Sequence, residues 1–274
     1  MRLLPVPLPP RPTTTHLRSA AVAALALGLL TACSTGTEPQ TGVAAPTATA
    51  ADPAPDPTML EDAPVDMVPA PAPECLSEGV AYATVGEGDT AASIAWAGAG
   101  ERGVLFAPPV DGDVCQWSGE LVRLAAEGYL VATYDWGASG EAGFRAALDV
   151  LRATGAERVA FVGASAGGTL AAGLADDLEA VAVVALSPPA TYGEVDARAE
   201  VSQFAGPLQV FSSTDDPQVP AADSALVVRN DRTSIVTEVS GTAHGIEFMA
   251  PDADHADHIR SIIDDALTEG FGEG

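Results

Sequence analysis

A chain of 274 residues is long enough for one catalytic domain plus targeting and linker segments, and too short for two large domains. Its 38 acidic residues face 12 Arg and no Lys, a formal charge of −26; this excludes nucleic-acid binding, because phosphate backbones are held by clustered cations. The same charge disfavours strongly anionic substrates, and an apolar content of 47% supplies a sizeable core.

Residues 1–32 read as an export signal. Arg11 and Arg18 precede an apolar run from Ala20 to Leu30. That run is shorter than the roughly 20 residues of a membrane-spanning helix and suits a signal-peptide core. It ends in Leu30-Thr31-Ala32-Cys33, and a leucine, two small residues and a cysteine resemble a bacterial lipobox. The resemblance implies cleavage before Cys33 and lipidation of its thiol. The chain would then be exported and anchored to the outer face of the cell membrane. The leader is long and Pro-rich, so initiation downstream of Met1 stays open. Cleavage leaves 9 Arg against 38 acidic groups, a net charge of −29.

Residues 33–74 are expected to be the lipidated cysteine and a disordered tether. Ser34 to Pro73 holds nine Pro and nine Ala, with no aromatic and no basic residue. Such a segment cannot bury enough apolar surface to offset its ordering entropy. The domain is expected over 75–274. Cys75 and Cys115 are the two thiols left in an exported chain, so a disulfide between them is expected, closing a loop of about 40 residues. Two separate buried thiols are the alternative.

From Cys75 onward, short apolar runs alternate with Ala-rich helical stretches. Gly79–Val85 and Ala91–Ala97 read as an opening pair of strands, and Gly103–Ala107 as a third. Trp117–Glu127 reads as a helix stopped by Gly128. Tyr129–Tyr134 is a strand, Glu141–Ala153 a helix and Arg158–Val162 a strand. A helix over Thr169–Leu178 and an apolar strand Val181–Leu186 come next. Strand Pro207–Ser212, a helix near Ala221–Val228, strand Ser234–Val239 and a helix from Asp254 to Leu267 complete the pattern. Apolar strands separated by helices predict an α/β fold: a mostly parallel central sheet with helices on both faces. Ligands then bind at the carboxyl ends of the strands. About twenty residues separate Leu186 from Pro207, too few for a large lid domain. The pocket is expected to be shallow and open, with Trp96, Trp117, Trp136 and Tyr192 as candidates for its lining.

Chemistry concentrates at Gly163-Ala164-Ser165-Ala166-Gly167, set between a strand and a helix. A strand-to-helix elbow strains the serine backbone and admits only small neighbours, and Ala164, Ala166, Gly167 and Gly168 are all small. The helix start offers the Ala166 amide to a developing oxyanion. A serine hydroxyl needs a base. His244 lies in a small-residue loop after a strand, whereas His255 and His258 lie on an acidic helix, a weak metal-ligand pattern read as a solvated face. No metal site and no cofactor are expected. An imidazole base in turn needs a carboxylate to fix its tautomer. Asp216 is favoured because it ends a strand and precedes a proline; Asp215 stays open as the alternative.

With these residues in place, about 79–268 resembles the α/β-hydrolase family, in the small form related to dienelactone hydrolases and lipases. The family's order of nucleophile, acid and histidine is matched by Ser165, Asp216 and His244. Asp216-Pro217-Gln218-Val219-Pro220, Ala243-His244-Gly245 and Tyr134-Asp135-Trp136-Gly137-Ala138-Ser139-Gly140 are similar to family loops. One departure stands out. Where the family carries His-Gly before its second oxyanion donor, this chain has Pro108-Pro109, which lack N–H groups. The donor must be Val110 or a later residue, and Asp111 and Asp113 lie close by. The resemblance implies a hydrolase of small-molecule or lipid-like esters, which the lipobox would anchor by lipid; the oligomeric state stays open, with a monomer expected. Two alternatives are a non-catalytic surface lipoprotein that keeps the scaffold for binding, and an acyltransferase or peptidase with the same residues.

Overall fold

The computed structural model describes residues 65–272, apart from 89–90 and 138–139. The export signal, Cys33 and most of the tether lie outside the described residues.

The chain runs β1 (Met67–Pro69), β2 (Ala81–Val85), β3 (Ala92–Ala97), β4 (Arg102–Ala107), α1 (Ser118–Ala126), β5 (Leu130–Tyr134), α2 (Gly140–Ala153), β6 (Arg158–Ala164), α3 (Ala166–Gly173) and β7 (Val183–Leu186). It continues through a small hairpin, β8 (Thr191–Tyr192) and β9 (Val195–Asp196), then α4 (Ala197–Glu200), β10 (Leu208–Ser213), α5 (Ala221–Ser224), β11 (Ser234–Val239) and α6 (Ala256–Phe271). Nine strands form one sheet in the order β1-β2-β3-β5-β4-β6-β7-β10-β11. The first three pairings, β1–β2, β2–β3 and β3–β5, are antiparallel. The remaining five are parallel.

Central strands buried on both faces explain the unbroken apolar runs. On one face Leu105, Phe161 and Val210 pack against α2 through Phe144, Leu148 and Leu151, and against Leu170 of α3. On the other, Phe106, Val162 and Phe211 pack against Leu121 and Leu124 of α1 and Ile259, Ile263 and Leu267 of α6. Helices α1 and α6 are further tied by buried Glu120, which accepts from Arg123 at 2.7 Å and from Arg260 at 2.8 Å. All eight residues of α3 are buried, as a helix without a polar face requires.

Two expectations change. The tether was expected to extend to residue 74, but β1 lies inside it and pairs with β2, Met67 facing Val85 with 8% of its surface exposed. The Pro-rich composition hid a three-residue edge strand, a position that tolerates proline. The helix after Ser165 starts at Ala166, not Thr169, so a single residue separates β6 from α3. Between β7 and β10 stand only the β8–β9 hairpin and α4, with no large lid.

Cys75 and Cys115 are joined by a disulfide across 40 positions, their Cα atoms 5.5 Å apart. It ties the chain leaving β1 to a short 3-10 helix, Val114–Trp117, behind the loop that follows β4. Non-reducing mass spectrometry of a Cys33→Ser variant is expected to find no free thiol. Reduction should cost about 2–4 kcal/mol of stability, read as a melting point several degrees lower.

Candidate active site

Five neighbouring parallel strands, β4, β6, β7, β10 and β11, end at one edge of the sheet. Val110 follows β4, Ser165 follows β6, Ser187 follows β7, Asp216 follows β10 and His244 follows β11. Residues remote in sequence are thereby gathered by strand register.

Ser165 occupies the single-residue turn between β6 and α3, with φ 53° and ψ −124°. This backbone is one L-residues avoid, at a cost of about 1–3 kcal/mol. Three bonds hold it: the Ser165 N–H donates to Leu186 O at 2.7 Å, and its carbonyl accepts from Gly168 N–H at 2.8 Å and Thr169 N–H at 3.1 Å. Crowding explains the glycines. A β-carbon on Gly163 would collide with the Gly167 backbone, and one on Gly167 with the carbonyl oxygens of Ala107 and Pro108. The β4 exit loop therefore lies directly against the elbow. Ala166 opens α3, where the first amides have no intrahelical acceptor.

The β4 exit loop turns through Gly112 N–H to Pro109 O at 2.9 Å, with Val110 exposed at the turn. Two carboxylates brace its far side. Asp135 accepts from Val114 N–H at 2.9 Å, and Asp113 caps the 3-10 helix by accepting from Cys115 N–H at 2.9 Å. The Asp113 charge is thus committed to backbone amides.

Of the two adjacent aspartates, Asp216 meets the imidazole: its Oδ2 lies 2.8 Å from His244 Nδ1. Asp215 is exposed and accepts from the Thr214 hydroxyl at 3.0 Å. The Asp216 side chain is fully shielded and that of His244 is 8% exposed. The other oxygen of Asp216, Oδ1, accepts from the N–H groups of Gln218 at 2.8 Å and Val219 at 3.0 Å. Burial alone raises the pKa of this carboxyl. The opposing bonds from Val219, the His244 ring and Gln218, with a smaller contribution from the nearby Ser187 hydroxyl, outweigh it, so the group sits below the ordinary carboxylate range. An ionised carboxylate only accepts, so Nδ1 carries the proton and a neutral His244 keeps its lone pair on Nε2.

The loop carrying His244 is anchored by the Ser213 hydroxyl, which donates to Ala243 O at 2.7 Å. Gly245 follows with φ 52°, a conformation that favours glycine, and packs over Ser165 and Ala164. A 3-10 helix over Gly245–Met249 comes next, and its Glu247 carboxylate accepts the His244 backbone N–H at 2.9 Å. Ser165, His244 and Val110 line one cavity of about 310 Å³ with Pro109, Gln218, Ile246 and Glu247.

The expected aromatic lining is not there. Trp96 and Trp117 are core residues, 1% and 0% exposed. Trp136 and Tyr192 meet edge to face, their centroids 5.5 Å apart, and line a separate cavity of about 280 Å³. Sequence reasoning also missed Ser187, which is fully buried at φ 47°. Its hydroxyl forms no hydrogen bond of standard geometry, yet lies near enough to Asp216 to help hold that carboxyl ionised. Glu247 was missed as well, although a glutamate three residues after a helix-starting position is a capping signal.

The sequence matches no protein-family model and no curated protein. Solved structures do match. A dienelactone hydrolase-like promiscuous phosphotriesterase from metagenomic libraries superimposes with a TM-score of 0.57 at 17% identity, over 69% of this chain and 97% of that one. Est1E from Butyrivibrio proteoclasticus gives 0.55 at 12% identity, over 70% and 99%. A monoacylglycerol lipase from Paleococcus ferrophilus gives 0.53 at 15% identity, over 64% and 98%. At such identities the likeness speaks for architecture, and with the sheet order described above it establishes that this chain has the α/β-hydrolase fold.

Proposed function

We propose that this chain is a serine hydrolase of carboxylic esters, exported and held at the membrane by a lipidated Cys33. The observation that carries the reading is the 2.8 Å contact between Asp216 and His244, on the cavity that Ser165 also lines. In this reading Ser165 Oγ attacks the ester carbonyl while His244 Nε2 takes its proton. The N–H groups of Ala166 and Val110 receive the oxyanion, which answers the absence of donors at Pro108 and Pro109. His244 then returns the proton to the leaving alcohol, and water repeats the sequence to free the acid. Asp216 keeps the imidazole in the useful tautomer and stabilises its cation. The monoacylglycerol lipase among the fold neighbours supports an acyl-ester substrate. Ester hydrolysis is favoured over a scaffold kept for binding because the strained elbow and the buried carboxylate–imidazole pair are both retained.

A fluorophosphonate probe is expected to label the wild-type chain and to leave Ser165→Ala unlabelled; an unlabelled wild type sinks the proposal in favour of the binding reading. Asp216→Asn should keep the fold and lose about 10³–10⁴-fold in kcat. Asp216 stays ionised well into the acid range, so the stability its carboxylate adds is present above about pH 4 and lost only as pH falls through its lowered folded value. Asp216 should therefore add no proton to the pH profile of kcat/KM across the neutral and mildly acid range. A two-proton slope would contradict the assignment.

A further inference from the structure

We propose that the cavity over Ser165 selects esters of cationic alcohols, with the Glu247 carboxylate as the counter-charge that recognises them. The proposal rests on the ester-hydrolase reading and names its substrate class.

Among the side chains that form this cavity, Glu247 is the acidic one and no Arg joins it. Pro109, Val110 and Ile246 are apolar, and Gln218 is a neutral amide. The carboxylate is held in place. One oxygen accepts the His244 N–H at 2.9 Å, and the Glu247 N–H donates back to His244 O at 3.0 Å. An amide supplies a dipole and no compensating charge, and Glu247 forms no ion pair among the described residues. Arg260 reaches the same segment at Met249 O, but its guanidinium is bonded to Glu120 and Asp257. A negative charge held by the His244 amide, with no cation paired to it among the described residues, therefore stands at the rim of the space where substrate must sit.

Its side of the cavity follows from the chemistry. His244 must reach the leaving oxygen to return the proton, so the alcohol lies against the imidazole. Glu247 is one turn of the 3-10 helix from His244. Glu247 is itself exposed, so a positive group on the alcohol meets this carboxylate at the open side of the cavity, beside Ile246 and Pro109. A negative group in the same place is repelled. Exposed Asp111 and Asp215, next to Val110 and Asp216, add charge of the same sign at longer range. The repulsion also acts on the product acid, whose carboxylate is pushed out of the cavity once the acyl-enzyme is hydrolysed.

The test compares butyrate esters of choline, of its uncharged tert-butyl isostere and of a hydroxy acid. Choline keeps its charge at every pH. The wild type is expected to favour the choline ester over the neutral one by about tenfold in kcat/KM and to disfavour the anionic ester by a similar factor. Glu247→Gln keeps a side-chain acceptor for the His244 N–H. It should bring the cationic-to-neutral ratio close to one without lowering the melting temperature. A second readout needs no turnover: free choline, followed by nuclear magnetic resonance titration, should bind wild type at least about fivefold more tightly than Glu247→Gln. A wild-type ratio near one, or the same ratio in both proteins, overturns the proposal while Ser165-dependent cleavage of the neutral ester leaves the hydrolase reading standing. If no ester is cleaved but choline binding depends on Glu247, the hydrolase reading falls and the cation site stands; if neither is seen, both fall.

Discussion

One residue between a strand and a helix sets the terms for everything around it. β6 ends at Ala164 and α3 begins at Ala166, so the backbone of Ser165 must reverse within its own φ and ψ. A reversal that tight leaves no volume beside it, and side chains are absent where the chain crowds most: at Gly163, facing the Gly167 backbone, and at Gly167, facing Ala107 and Pro108. The contact with Ala107 and Pro108 fixes the β4 exit loop, and with it Val110, relative to the serine. The N–H of Ser165 bonds to Leu186, which fixes the end of β7. The strain is sustained because neighbouring strands over-determine it.

The electrostatic arrangement grows from the same geometry. Asp216 is removed from water, which on its own would favour the neutral acid, and it is returned to the ionised form by donors that the local chain supplies. Two of these are consecutive backbone amides in the turn at Pro217, and a third is the imidazole itself. A buried carboxylate so bound is directional: with Oδ1 occupied by amides, Oδ2 is left for His244. Ser187 sits between the strands of Ser165 and Asp216 and, like Ser165 and Asp111 in the β4 exit loop, carries a positive-φ non-glycine backbone at this edge. Strain at two adjacent strand ends marks this edge as the one where regular structure yields to chemistry.

Much of the architecture was legible because periodicity and burial coincide. Val104 to Ala107, Val159 to Ala164 and Val183 to Leu186 are continuous apolar runs because helices cover both faces of the sheet. The spacing of Ser165, Asp216 and His244 was readable because each follows a strand, although β10 and β11 carry polar residues. Composition misled where it outweighed pattern: Val65, Met67 and the prolines around them read as tether, yet Met67 is buried against β2. The tryptophans misled for a different reason. A large aromatic ring fits a core as well as a cavity wall, and only tertiary packing decides, as it does for Trp96 and Trp117. Ser187 was silent because an isolated serine carries no pattern, and its meaning comes from which strand ends stand beside it; Glu247 was marked only by its capping distance from His244.

The bridge from Cys75 to Cys115 has a mechanical consequence. The chain enters the sheet at β1, on the far edge, and three strands, β2, β3 and β5, stand between it and β4. The disulfide is a covalent shortcut across this distance, joining the entering chain to the 3-10 helix that follows the Val110 turn. Tension that comes through β1 is thereby carried from Cys75 straight to Cys115, past β2 and β3. Asp135 and the Trp136 N–H, which bond to Val114 and Gly112, take it up before it can reach Val110. The entering chain and the loop that lines the cavity share one strut, and that strut is sensitive to thiols.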